Sequence, residues 1–340
     1  MINPKFAYRK IKSVNYKEMF ATIKRVSKKT GKSVVSVTAD LLGCIVRHEG
    51  GYVDYEDLEM YDMTEAERAK VLTIGKNLRL CRRLNSNEDL HEIEDKASFN
   101  KIFGDFLRRD WFYADDSEEG SLEAFKKFLE GKDRVMVKPT DQTCGLGIDI
   151  YQTADYTPEE LYEKIKRDGT LLVEEVIVQS DKMSALAPYT VNTVRIVSIL
   201  NGEKVTVIGA GIRVGREGNV VDNYHHGGIT ACVDPRSGKI VTDGYDRGGN
   251  TYITVPGTGA PLKGEKVPFW EDMVAMIEKA HRLIPTLRYV GWDVALDHDN
   301  QPLLIEANDL PGNDVSQIPK LGIGTYAVIK EALGEPLETN

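Results

Sequence analysis

Hydrophobic and polar positions change their period along this chain. Over roughly the first 110 residues the apolar positions recur at helical spacing. Thr64-Glu-Ala-Glu67 has the form of a capping box, in which Thr and Glu satisfy each other's backbone N–H, and it predicts a helix running toward Leu84. Asp95 is set to cap a second helix, with Phe99, Ile102, Phe103, Phe106 and Leu107 as its buried stripe. Arg108 and Arg109 then close it, where the helix dipole favours cations.

From Ser121 onward the pattern is mixed. Ser121 begins a short helix that stops at Gly131, RVMVKP reads as a strand stopped by Pro139, and GIDIYQ as a second strand. Thr157-Pro-Glu-Glu160 combines a capping box with Pro at the first helical position, for a helix ending near Gly169. LLVEEVIVQ is a further apolar strand. TVNTVRIVSIL, KVTVIGAGIRV, ITACVD and KIVTDG alternate with Gly-containing turns, as antiparallel strands do. Helical patterns return at residues 269–283 and 326–333. Without regular βαβ units, the fold class is α+β: small sheets and packed helices.

The stretch GWDVALDHDNQPLLIEANDLPG, residues 291–312, predicts a hairpin. Side chains alternate faces along a strand. Asp293, Ala295 and Asp297 therefore share one face, as do Leu304, Glu306 and Asn308. With Asp299-Asn300 as a two-residue turn, Asp293 falls opposite Glu306. Such Cβ atoms lie about 4.5–5.5 Å apart, and like charges there repel. A divalent cation is the simplest remedy, and two carboxylates with an amide oxygen suit Mg2+. The plainer alternative is a solvated acidic hairpin.

Composition narrows the setting. Hydrophobic content of 41% and charged content of 29% are ordinary for a globular protein, and 340 residues allow two or three packed units. No run of about 18 apolar residues is present, and the opening MINPKFAYRKIK lacks the apolar core of a signal peptide. Cys44, Cys81, Cys144 and Cys232 are scattered, which points to a reducing, cytoplasmic setting. Residues 1–33 hold ten Lys/Arg against one acid, a net +9, leaving −18 on the remainder of a chain whose total is −9. A basic arm of this kind suits an anionic partner or membrane surface, or is simply a solvated helix face. The acidic body argues against nucleic acid as a partner.

Four further features accompany the hairpin. Lys138 ends a strand, and in the PTDQTCGLG that follows, Gly145 and Gly147 let backbone N–H groups turn toward an anion; otherwise such a Lys guards a sheet edge. Lys96 stands in the first turn of a helix, an unfavourable place for a cation that bound phosphate would offset, unless it is an ordinary surface Lys. Arg195 and Arg213 lie within apolar strands and need partners: a bound phosphate or carboxylate, or an internal Asp or Glu. The VEEVI stretch, residues 173–177, could present its backbone to adenine, with Asp181 beyond it for ribose hydroxyls.

In this order, Lys96, Lys138 with its glycine loop, VEEVI, Asp181 and Asp293…Glu306-Ala-Asn308 resemble the ATP-grasp superfamily. The hairpin resembles that of D-alanine–D-alanine ligases. GWDVAL, LIEAN, VDNYHHGGI and PGTGAPLKGEKVPFW are most like the sugar-transfer-associated ATP-grasp proteins, over roughly residues 60–330. The resemblance implies two α+β subdomains clasping ATP, at residues 95–177 and 178–340, behind a mostly helical region, 1–94. It implies that Asp293, Glu306 and Asn308 hold two Mg2+ ions and that Lys96 and Lys138 contact phosphates under a loop at 140–147. Glu175 and Ile177 would meet adenine through backbone atoms, with Glu174 toward its amine and Asp181 on ribose. Arg195 and Arg213 would serve phosphate and substrate carboxylate.

The implied activity is ATP-dependent ligation of a small-molecule carboxylate to an amine through an acyl phosphate, in a glycan, cell-envelope or secondary-metabolite setting. His225 or His226 is the candidate base toward the amine and Asn223 the residue that orients it; otherwise these are polar loop residues. Two alternatives are a phosphotransferase on the same scaffold and a non-catalytic nucleotide-binding partner of glycan enzymes. Two departures stand out. Gly291 occupies the place of an Arg in D-alanine–D-alanine ligases, and Val255-Pro256 the place of a usual His-Pro.

Overall fold

The computed structural model describes residues 15–115, 117–139, 147–218, 222, 227–246, 248–312, 317 and 325–336. The chain divides into two compact units, one of residues 1–80 with 317–340 and the other of residues 81–316.

The first unit is helical: α1 (Tyr16–Thr30), α2 (Val34–His48), α3 (Tyr52–Asp57), α4 (Glu65–Lys70), the first part of α5 (Ile74–Leu84) and a C-terminal helix, Thr325–Leu333. Ile23, Val26, Val37, Leu41, Tyr55 and Met60 form its core. The capping box at Thr64 and Glu67 is present. The helix it opens stops at Lys70 rather than running to Leu84, because Val71 is extended and the Lys76 ammonium donates to the Ala69 and Val71 carbonyls at its end. Part of the basic arm is neutralised at home, since Arg25 pairs with Glu18 and Glu56, and Lys29 with Glu59. Residues 317 and 325–336, expected with the C-terminal sheet, belong instead with these helices, where Gln317 bonds both polar groups of the Leu72 backbone.

The second unit holds both sheets. After α6 (His91–Glu94), α7 (Lys96–Ile102) and α8 (Gly104–Leu107) comes a four-stranded sheet in the order β1 (Trp111–Tyr113), β4 (Leu172–Glu175), β2 (Arg134–Lys138), β3 (Asp149–Gln152). Helices α9 (Leu122–Leu129) and α10 (Pro158–Asp168) cover it through Phe125, Leu161 and Ile165. Asp95 caps α7 as expected, but the apolar stripe is broken at Phe103, which separates α7 from α8. A one-turn helix, α11 (Asp181–Ser184), leads into the larger sheet.

That sheet has seven strands in the order β11-β10-β5-β6-β7-β8-β9, all paired antiparallel: β5 (Thr193–Asn201), β6 (Lys204–Val214), β7 (Ile229–Val233), β8 (Gly244–Tyr245), β9 (Thr251–Tyr252), β10 (Tyr289–Leu296) and β11 (Pro302–Asn308). KIVTDG contributes only isolated bridges and the start of β8. One face carries Val194, Ile196, Ile212, Trp292, Val294 and Leu304, packed under α12 (Trp270–His281) and against Phe99 and Phe103. The opposite face is polar and carries the candidate site. Among the described residues no helix is long and apolar enough to cross a membrane.

Candidate functional site

Asp293 lies opposite Glu306, as the hairpin pattern requires, but the route to that register differs from the expected one. The turn has three residues, His298, Asp299 and Asn300, closed by Asp297 N–H to the Gln301 carbonyl at 3.0 Å, with Asn300 left-handed at φ 61°. Asn tolerates that conformation better than most residues. A one-residue shift follows beside Asp293 and Val294: Leu304 pairs with Val294, whereas Glu306 pairs with Asp293. Ile305 is the extra residue of a β-bulge. Leu304 therefore faces the apolar core and not, as simple alternation predicts, the side of Glu306.

Ladder register extends the acid pair across the sheet. Glu306, Asp293, Arg195, Gly211 and Cys232 form one row, and Thr193, Arg213, Thr230, Tyr245 and Thr251 form the next row on the same face. Arg195 grips Asp293 with two bonds, Nε–Oδ1 at 2.5 Å and Nη2–Oδ2 at 2.9 Å, and Arg213 adds Nη1–Oδ2 at 3.1 Å. Each arginine thus has an internal carboxylate as its partner in this structure. Burial opposes ionisation of Asp293, but Arg195 and Arg213 outweigh it and hold the carboxyl well below its ordinary range. Burial and the neighbouring Asp293 charge push Glu306 above its ordinary range. Two arginines on Asp293 offset the repulsion that the sequence pattern assigns to a cation.

Gly291 belongs to this arrangement. A Cβ there would stand 3.4 Å from Cδ and Nη1 of Arg195 and 3.1 Å from Pro311. Arg195, reaching across from β5, therefore fills the space above Gly291. Asn308 pairs with Gly291, and its Nδ2 is buried without a hydrogen-bond partner, as is Nε of Arg213.

A second cluster gathers around Glu174, which is fully buried. Arg109 holds its two oxygens at 2.9 and 3.1 Å, the Lys138 ammonium lies 2.5 Å from Oε2, and Asn100 donates to Oε1 at 2.9 Å. Burial works against the charge, but Arg109 and Lys138 keep Glu174 ionised. Both oxygens are thus engaged inside the protein rather than turned to an adenine amine. Arg109 is part of this network and Arg108 pairs with Asp297 at 2.6 Å, so neither merely closes a helix dipole. Lys96 is half-buried and donates to the Pro139 carbonyl at 3.1 Å, which brings it to the end of the strand that carries Lys138.

Other expected residues are more scattered. Glu175 is exposed and its N–H is taken by the Asp110 carbonyl; Ile177 lies past the end of β4, half-buried; Asp181 is exposed at the start of α11. Gly147 is left-handed at φ 70°. Gly145, Asn223, His225 and His226 lie outside the described residues. Asp222, the first residue of DNYHH, is given no role by the sequence pattern. It accepts from Thr193 N–H at 2.7 Å and Thr193 Oγ at 2.6 Å, and burial, opposed by Arg213, pushes it up to about 6. Only its place next to the histidines could have marked it.

A family described as sugar-transfer associated ATP-grasp matches residues 75–325. The chain belongs to that family. Its α+β architecture is the ATP-grasp fold. Among solved structures it is similar to an L-amino acid ligase from Bacillus licheniformis at 15% identity and TM-score 0.42, covering 72% of this chain and 48% of that one. It is also similar to the D-alanine-D-alanine ligase from Coxiella burnetii, at 13% identity and TM-score 0.45, covering 77% and 65%. A D-cycloserine synthetase is similar at 13% identity and TM-score 0.41, covering 75% and 78%. The chain spans about half and about two thirds of the length of the first two of these. No match is found among curated proteins.

The donor set of this ATP-grasp chain fits Mg2+ in kind. Among the described residues no cluster of three His, Cys, Asp or Glu side chains is present, and the candidate set is two carboxylates and an amide. Burial, and then the carboxylate that faces it, raise the Glu306 pKa, and such a site is where a cation would replace a proton. Asn308, two residues along β11 from Glu306, has its Nδ2 buried without a hydrogen-bond partner, and an amide turned about its last bond would present an oxygen there instead.

Proposed function

We propose that this protein is an ATP-dependent ligase that joins a carboxylate to an amine. The observation that supports it is the buried row Glu306–Asp293–Arg195 with Arg213 beside it, in a chain of the ATP-grasp family. Transfer of a γ-phosphoryl group to a carboxylate oxygen makes an acyl phosphate and ADP; attack of the amine on the acyl carbon then releases phosphate. Both steps move negative charge between oxygens, so the protein need only position and neutralise it. No covalent nucleophile is required.

Asp293, Glu306 and Asn308 would hold two Mg2+ ions, whose contribution is to neutralise phosphate oxygens. Arg195 and Arg213 would receive the phosphoryl group and the substrate carboxylate. A cation at Asp293 and an anion at the arginines exchange one set of pairs for another, so no buried charge loses its partner. Lys96 and Lys138 serve the nucleotide phosphates, beneath the loop of residues 140–147 with Gly145 and Gly147. The backbones of Glu175 and Ile177 face adenine and Asp181 the ribose. His225 or His226 takes the proton of the attacking ammonium, with Asn223 orienting it. The substrates belong to a glycan, cell-envelope or secondary-metabolite setting; the sugar-transfer association of the family supports the first of these.

The fate of phosphate tests the reading. In 31P NMR of the protein with ATP, Mg2+ and panels of carboxylates and amines, free phosphate should accumulate only when both substrates are present. Phosphate retained on a product would make the protein a phosphotransferase. Nucleotide binding without ADP formation under any pairing would make it a binding protein.

A further inference from the structure

A guanidinium has five N–H groups, and Arg109 places each on its own acceptor. Nε meets Glu174 Oε2 at 2.9 Å; Nη1 meets the carbonyls of Leu304 at 2.6 Å and Leu107 at 3.3 Å; Nη2 meets Glu174 Oε1 at 3.1 Å and, more weakly, the Ile305 carbonyl at 3.5 Å. The side chain is buried. It therefore joins two places that the sequence separates: the Glu174 carboxylate on β4, which also holds Lys138, and the backbone at the β11 bulge.

We propose that Arg109 is a positioning residue that aims Glu306 and ties that aim to Lys138. Strict alternation would send Glu306 to the same face as Leu304, into the apolar core. The extra residue at Ile305 turns it to the face of Asp293. A bulge leaves backbone groups outside the ladder, and β11 is an edge strand, open on one side. Arg109 supplies donors to the two carbonyls at that irregularity. Its other arm rests on Glu174, whose Oε2 it shares with the Lys138 ammonium. Lysine at position 109 would keep the charge but has three donors and no planar fork, so it cannot hold Glu174 and the bulge together. The inference rests on the proposed function, in which Lys138 meets phosphate and Glu306 a divalent cation.

The test titrates ADP calorimetrically into the full-length protein over a series of Mg2+ concentrations. In Arg109→Lys the affinity should fall about ten-fold at low Mg2+, the effect expected when a group supporting a metal ligand is lost, and return toward wild type as Mg2+ rises. In Lys138→Met the loss should persist at every Mg2+ concentration. Wild-type affinity in Arg109→Lys throughout, or a loss that Mg2+ does not restore, overturns the inference. Should Arg109→Lys fail to fold by circular dichroism, Glu174→Gln, which weakens the anchor while preserving its shape, should show the same Mg2+-dependent loss. A wild-type-like curve there overturns the inference equally. Wild-type protein that binds no ADP at any Mg2+ concentration overturns the functional reading itself, an outcome distinct from failure of the Arg109 role alone.

Discussion

Asp293 and Glu306 face each other, but they do not contribute alike. Asp293 is the counter-charge of two buried guanidinium groups, Arg195 and Arg213. Glu306 faces it across the ladder, and burial with the Asp293 charge raises its pKa. Asp293→Asn therefore strands two cations and should cost about 3–5 kcal/mol of stability, measured by denaturant unfolding. Glu306→Gln keeps the shape and removes the acid facing Asp293, so stability should change by under about 1 kcal/mol. On the proposed function ADP formation should nevertheless fall about 10²-fold or more, because the carboxylate proposed to hold the metal is gone. Near-normal turnover in Glu306→Gln would remove the acid pair from the chemistry. Equal destabilisation by both substitutions would contradict the division of roles.

Elements explain what the sequence disclosed and what it withheld. Caps at Thr64, Asp95, Ser121 and Thr157 were legible because each depends on residues three or four apart. The Asp293–Glu306 facing was legible because the hairpin is local. The arginines were recognised as needing partners, but the choice of Asp293 depends on strand register across nearly a hundred residues, which no local pattern records. Neither the three-residue turn nor the bulge left a signal; the two irregularities offset one another and preserved the facing pair. Behind that pair, Trp292 Nε1 donates to Ser198 Oγ at 2.9 Å, Ser198 lies 2.8 Å from His281 Nδ1, and His281 Nε2 donates to the Leu287 carbonyl at 2.8 Å. This chain fastens β10 and β5 to α12 and requires neutral imidazole. Burial lowers His281 from its ordinary 6.5 to about 4, so between those values the unfolded chain holds more protons than the native one. Acidification from pH 6.5 to 4 should then weaken wild type relative to His281→Gln by up to roughly 3 kcal/mol. Parallel stability–pH curves for the two proteins would show that the imidazole is not the acid-sensitive link.

At the scale of the whole molecule, every described candidate residue from Lys96 to Asn308 falls within the unit of residues 81–316. The helices of the other unit carry the described part of the basic arm and pack with a segment from the far end of the chain. Gln317 is the clearest link within that unit: Oε1 accepts from Leu72 N–H at 2.9 Å and Nε2 donates to the Leu72 carbonyl at 2.6 Å. Gln317→Ala removes both bonds from a buried peptide group and should lower stability by about 1–3 kcal/mol. Because the residues proposed for phosphate and metal all lie in the other unit, ADP affinity measured well below the unfolding midpoint should stay within about two-fold of wild type, a change of less than ~0.5 kcal/mol. A larger loss of affinity in protein that is still folded would mean that the helical unit shapes the nucleotide site, and the assignment of function to residues 81–316 alone would have to be withdrawn.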